Sequence, residues 1–207
     1  MNDMLQIKIS SDAYLKLKYY VTNSDDEVSG LGKCENINGN ITITDILLFE
    51  QKVSSASTVL DEEAMAKFMN DRMVAGDDIS KYTVWWHSHA NMGVFWSITD
   101  EVTITSLDQH SFIISLVTNK ELEMLVRLDM NRPLEVSVNC GISISQVDDE
   151  ELELQCIDEL EEKVSSAYSF FKRKKKRAKR MRLIPTDQID KEIDKAINKS
   201  YGRRKRK

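Results

Sequence analysis

Apolar and polar residues alternate over 5–9, over 27–34 and over 41–53, which predicts three strands. Asn38-Gly39, between the last two, is a hairpin signal because both residues tolerate positive φ. Tyr14, Leu15, Leu17, Tyr19 and Val21 mark a helix that runs to about residue 21, capped by the hydroxyl of Ser10 or Ser11. Asn23-Ser24-Asp25-Asp26 breaks it. Asp61 caps a second helix over 62–74, where Ala64, Met65, Phe68, Met69 and Met73 fall on one face. A methionine-rich stripe of this kind reads as core rather than as a cofactor site. Gly76-Asp77-Asp78 ends that helix, and the β-branched and aromatic run Tyr82-Thr83-Val84-Trp85-Trp86 predicts a strand over 81–87. A short helix over 100–109 follows, then strands over 112–117, 121–130 and 134–147, with turns at Asn119-Lys120 and Asn131-Arg132-Pro133. The result is an α+β layer of two long helices and about seven strands.

From residue 149 the pattern changes. No Gly or Pro occurs between Gly141 and Pro185, and Ile157, Leu160, Val164, Ala167 or Tyr168, and Phe171 recur at helical spacing. A helix over 148–184 is therefore expected. Its acidic N-terminal end and its Lys172-Arg173-Lys174-Lys175-Lys176-Arg177 end each suit the helix dipole. Pro185-Thr186 stops it and restarts a short helix on Ile189, Ile193 and Ile197, and residues 203–207 form a disordered basic tail. The expected organisation is one domain over 1–147, a helix over 148–184, and a short helix and tail over 185–207.

Composition adds a charge split. The 207 residues carry a formal net charge of −5, but residues 172–207 hold 17 Lys and Arg against 4 Asp and Glu, a net +13. The rest of the chain, with 12 basic and 30 acidic residues, is at −18. Such a basic stretch suits non-specific contact with nucleic acid or an acidic protein partner, or a nuclear localisation signal in a eukaryotic source. It lacks the interleaved aromatics that would stack on bases. No run of 18 apolar residues exists to span a membrane, and no secretory leader is evident. Cys34, Cys140 and Cys156 are odd in number and widely spaced, as in a reduced, intracellular (cytoplasmic) protein.

The chemistry concentrates in His87-Ser88-His89-Ala90-Asn91-Met92-Gly93-Val94-Phe95-Trp96-Ser97-Ile98-Thr99-Asp100. Residues two apart on a strand share a face, so His87 and His89 project together. Two imidazoles and the Asp100 carboxylate make the three-ligand set of a catalytic Zn²⁺, which leaves one position open for water. The spacing arises by chance in about one shuffled chain in a few thousand. The apolar residues Met92, Val94, Phe95 and Trp96 between the ligands read either as a wall that brushes the substrate or as a roof over the core, with the roof favoured. Other hydrolytic and deaminase signatures (H-E-x-x-H, G-x-S-x-G, P-C-x-x-C) are absent, and His110 reads as an ordinary surface or helix-end residue.

The H-x-H-x7-S-x-x-D pattern resembles the JAMM motif of the JAB/MPN metalloprotease family. Glu27-Val28-Ser29-Gly30 resembles that family's upstream E-V-x-G at the start of a strand. The resemblance covers about residues 1–147. It implies a JAB/MPN (cytidine-deaminase-like) fold, a mixed sheet flanked by helices. It also implies that His87, His89 and Asp100 bind Zn²⁺, that Glu27 is the general base, and that Ser97 stabilises the oxyanion. The implied reaction is cleavage of a peptide or isopeptide bond at the C-terminal tail of a ubiquitin-like or β-grasp carrier protein. One departure stands out: the family often has Pro after the second His, where this chain has Ala90. The rival expectation is a non-catalytic MPN-like scaffold whose basic C-terminus binds a protein or nucleic acid.

Overall fold

In the computed structural model the chain divides into Met1–Ala167 and Tyr168–Lys207. The structure describes residues 4–55, 57–107, 109–144 and 149–166. The expected helix beyond 166, the short helix after Pro185 and the basic stretch 172–207 lie outside the described residues.

The first helix, α1 (Ser11–Asn23), starts at Ser10, whose side chain accepts from the Ala13 amide. Its mixed apolar pattern has a packing cause. Ala13, Tyr14, Leu15, Leu17, Tyr19, Tyr20 and Val21 are all buried, because a sheet lies on one side and a later helix, α4 (Glu150–Lys163), on the other. α4 contributes Cys156 and Leu160 to the core. It ends at Lys163, where the chain turns extended as a short strand rather than continuing as helix.

Seven strands form the main sheet: β1 (Gln6–Ile9), β2 (Ser29–Ile37), β3 (Asn40–Leu48), β6 (Val84–Ser88), β7 (Phe112–Thr118), β8 (Met124–Met130) and β9 (Val136–Ile144). The predicted strand over 41–53 breaks after Leu48. Its second part is β4 (Gln51–Ser54), which pairs antiparallel with β5 (Ser57–Leu60) and parallel with β10 (Val164–Ser166).

The expected JAB/MPN sheet flanked by helices is not what forms. The seven strands close into a barrel in the order β1-β3-β2-β6-β7-β8-β9. Closure runs through β1, which pairs in parallel with β3 on one side and with β9 on the other. Gly141 of β9 pairs with Gln6 of β1, whose side-chain amide lies over the glycine where a Cβ would otherwise stand. A bulge between Lys33 and Cys34 of β2 bends that strand, as closure requires.

The helix α2 (Glu62–Val74) also departs from expectation. It is capped by Asp61 as predicted, but none of its residues is buried and Met73 is 56% exposed. Its stripe is therefore not core. The helix leans on the body through Phe68, whose ring meets Phe49 and Tyr82 edge-on.

The core joins α1 to one face of the barrel, including Val84 and Trp86 of β6 and Ile114 and Leu116 of β7. Trp86 stacks on Tyr20, and its indole N–H donates to the Leu31 and Leu47 carbonyls. By alternation, Trp85 and His87 face the other way. β6 and the parallel β7 are joined through α3 (Ile98–Ser106), so the site sits where β6 ends and α3 begins. No helix of the described residues is long and apolar enough to cross a membrane.

Candidate metal centre

The end of β6 is held tightly on both sides. The Ser88 amide donates to the Val28 carbonyl (2.8 Å), and the Val28 amide donates to the Ser88 hydroxyl (3.0 Å). The His89 amide donates to the Thr118 carbonyl of β7 (2.8 Å). Both imidazoles therefore leave a clamped backbone. Asp100 arrives from α3, where Ser97 is the N-cap. The Ser97 hydroxyl accepts from the Asp100 amide (3.2 Å), and the Ser97 amide donates to Asp100 Oδ2 (2.7 Å), a reciprocal capping box.

These elements bring the predicted ligands together. His87, His89 and Asp100 are all buried. His87 Nε2 lies 3.1 Å from His89 Nε2 and 3.1 Å from Asp100 Oδ1, and His89 Nε2 lies 3.5 Å from Asp100 Oδ2. Donor atoms on a tetrahedral ion at roughly 2.0–2.1 Å stand about 3.3 Å apart, close to the separation of each imidazole nitrogen from the other and from one of the two Asp100 oxygens. The buried His-His-Asp group could hold a metal ion.

His89 Nδ1 lies 3.0 Å from the Gly93 carbonyl oxygen, which can only accept, so Nδ1 is the donor there and Nε2 is the nitrogen turned to His87 and Asp100. Burial lowers the pKa of His87, against the pull of Asp100, and keeps it neutral. His87 Nδ1 is a buried atom with no hydrogen-bond partner among the described residues, and its ring stacks on Trp85 at 4.5 Å. Burial would raise the Asp100 carboxyl, but the hydrogen bonds from His87 and Ser97 outweigh it and hold it well below the usual range.

Glu27 stands two residues before β2 rather than inside it, fixed by its amide to the Ser54 carbonyl (3.0 Å). It is buried and lines the same cleft of about 120 Å³ as the two histidines, Ser97 and Asp100. Burial pushes its carboxyl up to about 7, with the charge of Asp100 adding to the shift and that of His89 opposing it. All five residues singled out from the motif thus meet in one place. The roomier groove of about 610 Å³ beside α1 lacks such convergence: its cations Lys16 and Lys33 are already paired with Asp45 and Asp77.

The loop between the ligands is not a roof over the core. Met92 and Phe95 are 42% and 48% exposed and wall the cleft, and Phe95 meets the His89 ring at 4.7 Å. Ala90 has φ of 47°, a left-handed conformation closed to proline. The loop therefore turns in a way that the proline common in the resembling motif would forbid.

Several contributors were not foreseen. Ser57 and Thr58 of β5 line the cleft, as do Thr99 and Thr103 of α3. Asn119 donates to the Met92 carbonyl (3.1 Å) and so steadies the loop that orients His89. Nothing in the local sequence marks these residues, because each acts through a partner far away in the chain. No family model matches the chain, and no curated protein matches it.

Proposed function

We propose that this chain is a zinc-dependent hydrolase of peptide or isopeptide bonds. The observation that carries the reading is the convergence of His87, His89 and Asp100 with an uncoordinated carboxylate, Glu27, on one cleft. Two neutral nitrogens and one carboxylate oxygen are a donor set suited to zinc. Held by these three residues, zinc would supply a Lewis acid that brings the pKa of water to about 7 and polarises the scissile carbonyl.

Glu27 takes the proton of the attacking water and returns it to the departing amine. A base with a pKa near 7 is matched to that work, which is generally worth roughly 10²–10⁴-fold. The Ser97 oxygen accepts from the Asp100 amide, which leaves its own hydrogen free to donate to the developing oxyanion. Trp85, Met92 and Phe95 keep bulk water from the reacting groups. β5 pairs with β4 alone among the described strands, and an extended substrate laid along its other edge would gain ladder hydrogen bonds. The motif's resemblance to the JAMM pattern suggests the tail of a ubiquitin-like or β-grasp carrier as substrate.

The test combines metal analysis with a panel of ubiquitin-like fusions, run on wild type and Glu27→Gln. Stoichiometric zinc in both proteins, with cleavage by wild type only, is the expected result. A wild type that takes up no zinc, or a Glu27→Gln variant that cleaves at the wild-type rate, overturns the reading.

A further inference from the structure

The helix that presents Asp100 has little apolar anchorage. Of the nine residues of α3 only Asp100 and Ile104 are buried, while Ile98 is 86% exposed and Val102 65%. A metal ligand must nevertheless be held to within about half an ångström. The capping box fixes Asp100 relative to its own helix, but not the helix relative to the barrel.

That second task falls to Arg127, which projects from β8 towards α3. Its Nη1 and Nη2 donate to Glu101 Oε1 (2.7 Å) and Oε2 (2.9 Å), a parallel two-bond fork. Its Nε donates to Asp129 Oδ2 (2.9 Å), and Asp129 Oδ1 in turn accepts from the Ser137 hydroxyl of β9 (2.5 Å). The guanidinium also lies 5.1 Å from the centre of the Trp96 ring. Glu101 follows Asp100 directly, and Trp96 precedes Ser97 directly. One side chain, itself only 13% exposed, therefore grips both flanks of the Ser97–Asp100 turn and ties them to two barrel strands. A lysine could not do this, since it has no planar fork.

We infer that Arg127 is a positioning residue of the metal centre: it fixes the first turn of α3 against the barrel so that the Asp100 carboxylate stands on the His87–His89 pair. Its functional half rests on the metal-binding reading above. Its structural half does not.

The test measures Zn²⁺ and Co²⁺ affinity, the visible absorption of the Co²⁺-loaded protein, and amide exchange of the metal-free protein. The variants are Arg127→Met, Arg127→Lys, Glu101→Gln and the Arg127→Met/Glu101→Gln double. Arg127→Met should weaken metal binding about 10–100-fold, the usual loss when a ligand's support is removed, and should shift the Co²⁺ absorption. Arg127→Lys should recover part of the loss, and the double variant should be no worse than Arg127→Met. In the metal-free protein, exchange should accelerate over 98–106 while β7 stays protected. Unchanged affinity with exchange accelerated everywhere would mean a general stabilising role and overturn the inference. If the wild type binds neither ion, the metal-binding reading falls. Exchange then decides the positioning role alone: acceleration confined to 98–106 upholds it, and no change overturns it.

Discussion

His87 Nε2 and His89 Nε2 stand 3.1 Å apart, both buried, with the Asp100 carboxylate closing the triangle. The first sits on β6 and the second just past its end, on the face that residues two apart share. Removing any one of the three should therefore abolish stoichiometric metal binding. At free metal about 100 times the Kd, binding adds about 2.7 kcal/mol of stability. A chelator should lower the unfolding midpoint of wild type accordingly and leave that of His87→Ala unchanged. Unfolding scans with and without chelator, beside metal analysis, check this.

Glu27 gives the metal-free protein a stability that depends on pH in a defined direction. Its carboxyl is raised from 4.5 to about 7 by burial, so the folded state holds a proton that the unfolded state has released. Its contribution is fully present below 4.5 and is lost as pH rises through about 7. Burial of His87 acts oppositely, costing stability as pH falls below the ordinary histidine value. Subtracting the wild-type curve from that of Glu27→Gln isolates the Glu27 effect. The variant should gain on wild type between pH 4.5 and 7.5 by on the order of 3 kcal/mol. Urea titrations across that range, with chelator present, measure it, and parallel curves would count against a buried Glu27.

The motif was legible because its chemistry needs particular residue types at particular spacings. His87, His89, Ser97, Asp100 and Glu27 all reach the one cleft. Barrel closure was not legible, because the alternating pattern at Gln6–Ile9 is the same whether a strand lies at an edge or bridges two neighbours. Helical periodicity likewise reports that Met65, Phe68, Met69 and Met73 share a face, not that anything covers it. The loop at Met92 and Phe95 was misread for a related reason: apolar character fits a core roof and a cleft wall equally well.

Ala90 offers a test of how this ligand loop is built. At φ of 47° it bears a left-handed cost of roughly 1–2 kcal/mol for an L-residue. Ala90→Gly relieves that cost, offset in part by the greater freedom of glycine in the unfolded chain. It should keep metal binding and change stability by no more than about 1 kcal/mol. Ala90→Pro cannot adopt the angle, and a refolded loop would displace the Gly93 carbonyl from His89. It should lose metal binding. Metal titration of the two variants distinguishes this loop from one shaped for proline, in which Ala90→Pro would bind as well as wild type.

Asn119 is the last support of His89 that the structure makes testable. It is 3% exposed, donates to the Met92 carbonyl and to Glu123 Oε2, and accepts from the Glu121 and Glu123 amides. Lys120, next to it, donates its amide to the Ala90 carbonyl, so the β7–β8 turn and the ligand loop are stitched at two points. Asn119→Asp keeps the acceptor but loses both donors and sets a second carboxylate against Glu123, which stands 2.7 Å from the lost nitrogen. A buried polar group left without its partner costs about 1–3 kcal/mol, and more when it is charged. Asn119→Asp should therefore destabilise the protein by at least that much and weaken metal binding. Asn119→Asp/Glu123→Gln removes the repulsion and returns a donor, so it should recover part of the stability. Denaturant titration of the single and double variants measures the coupling, and additive losses would show that Asn119 and Glu123 act independently.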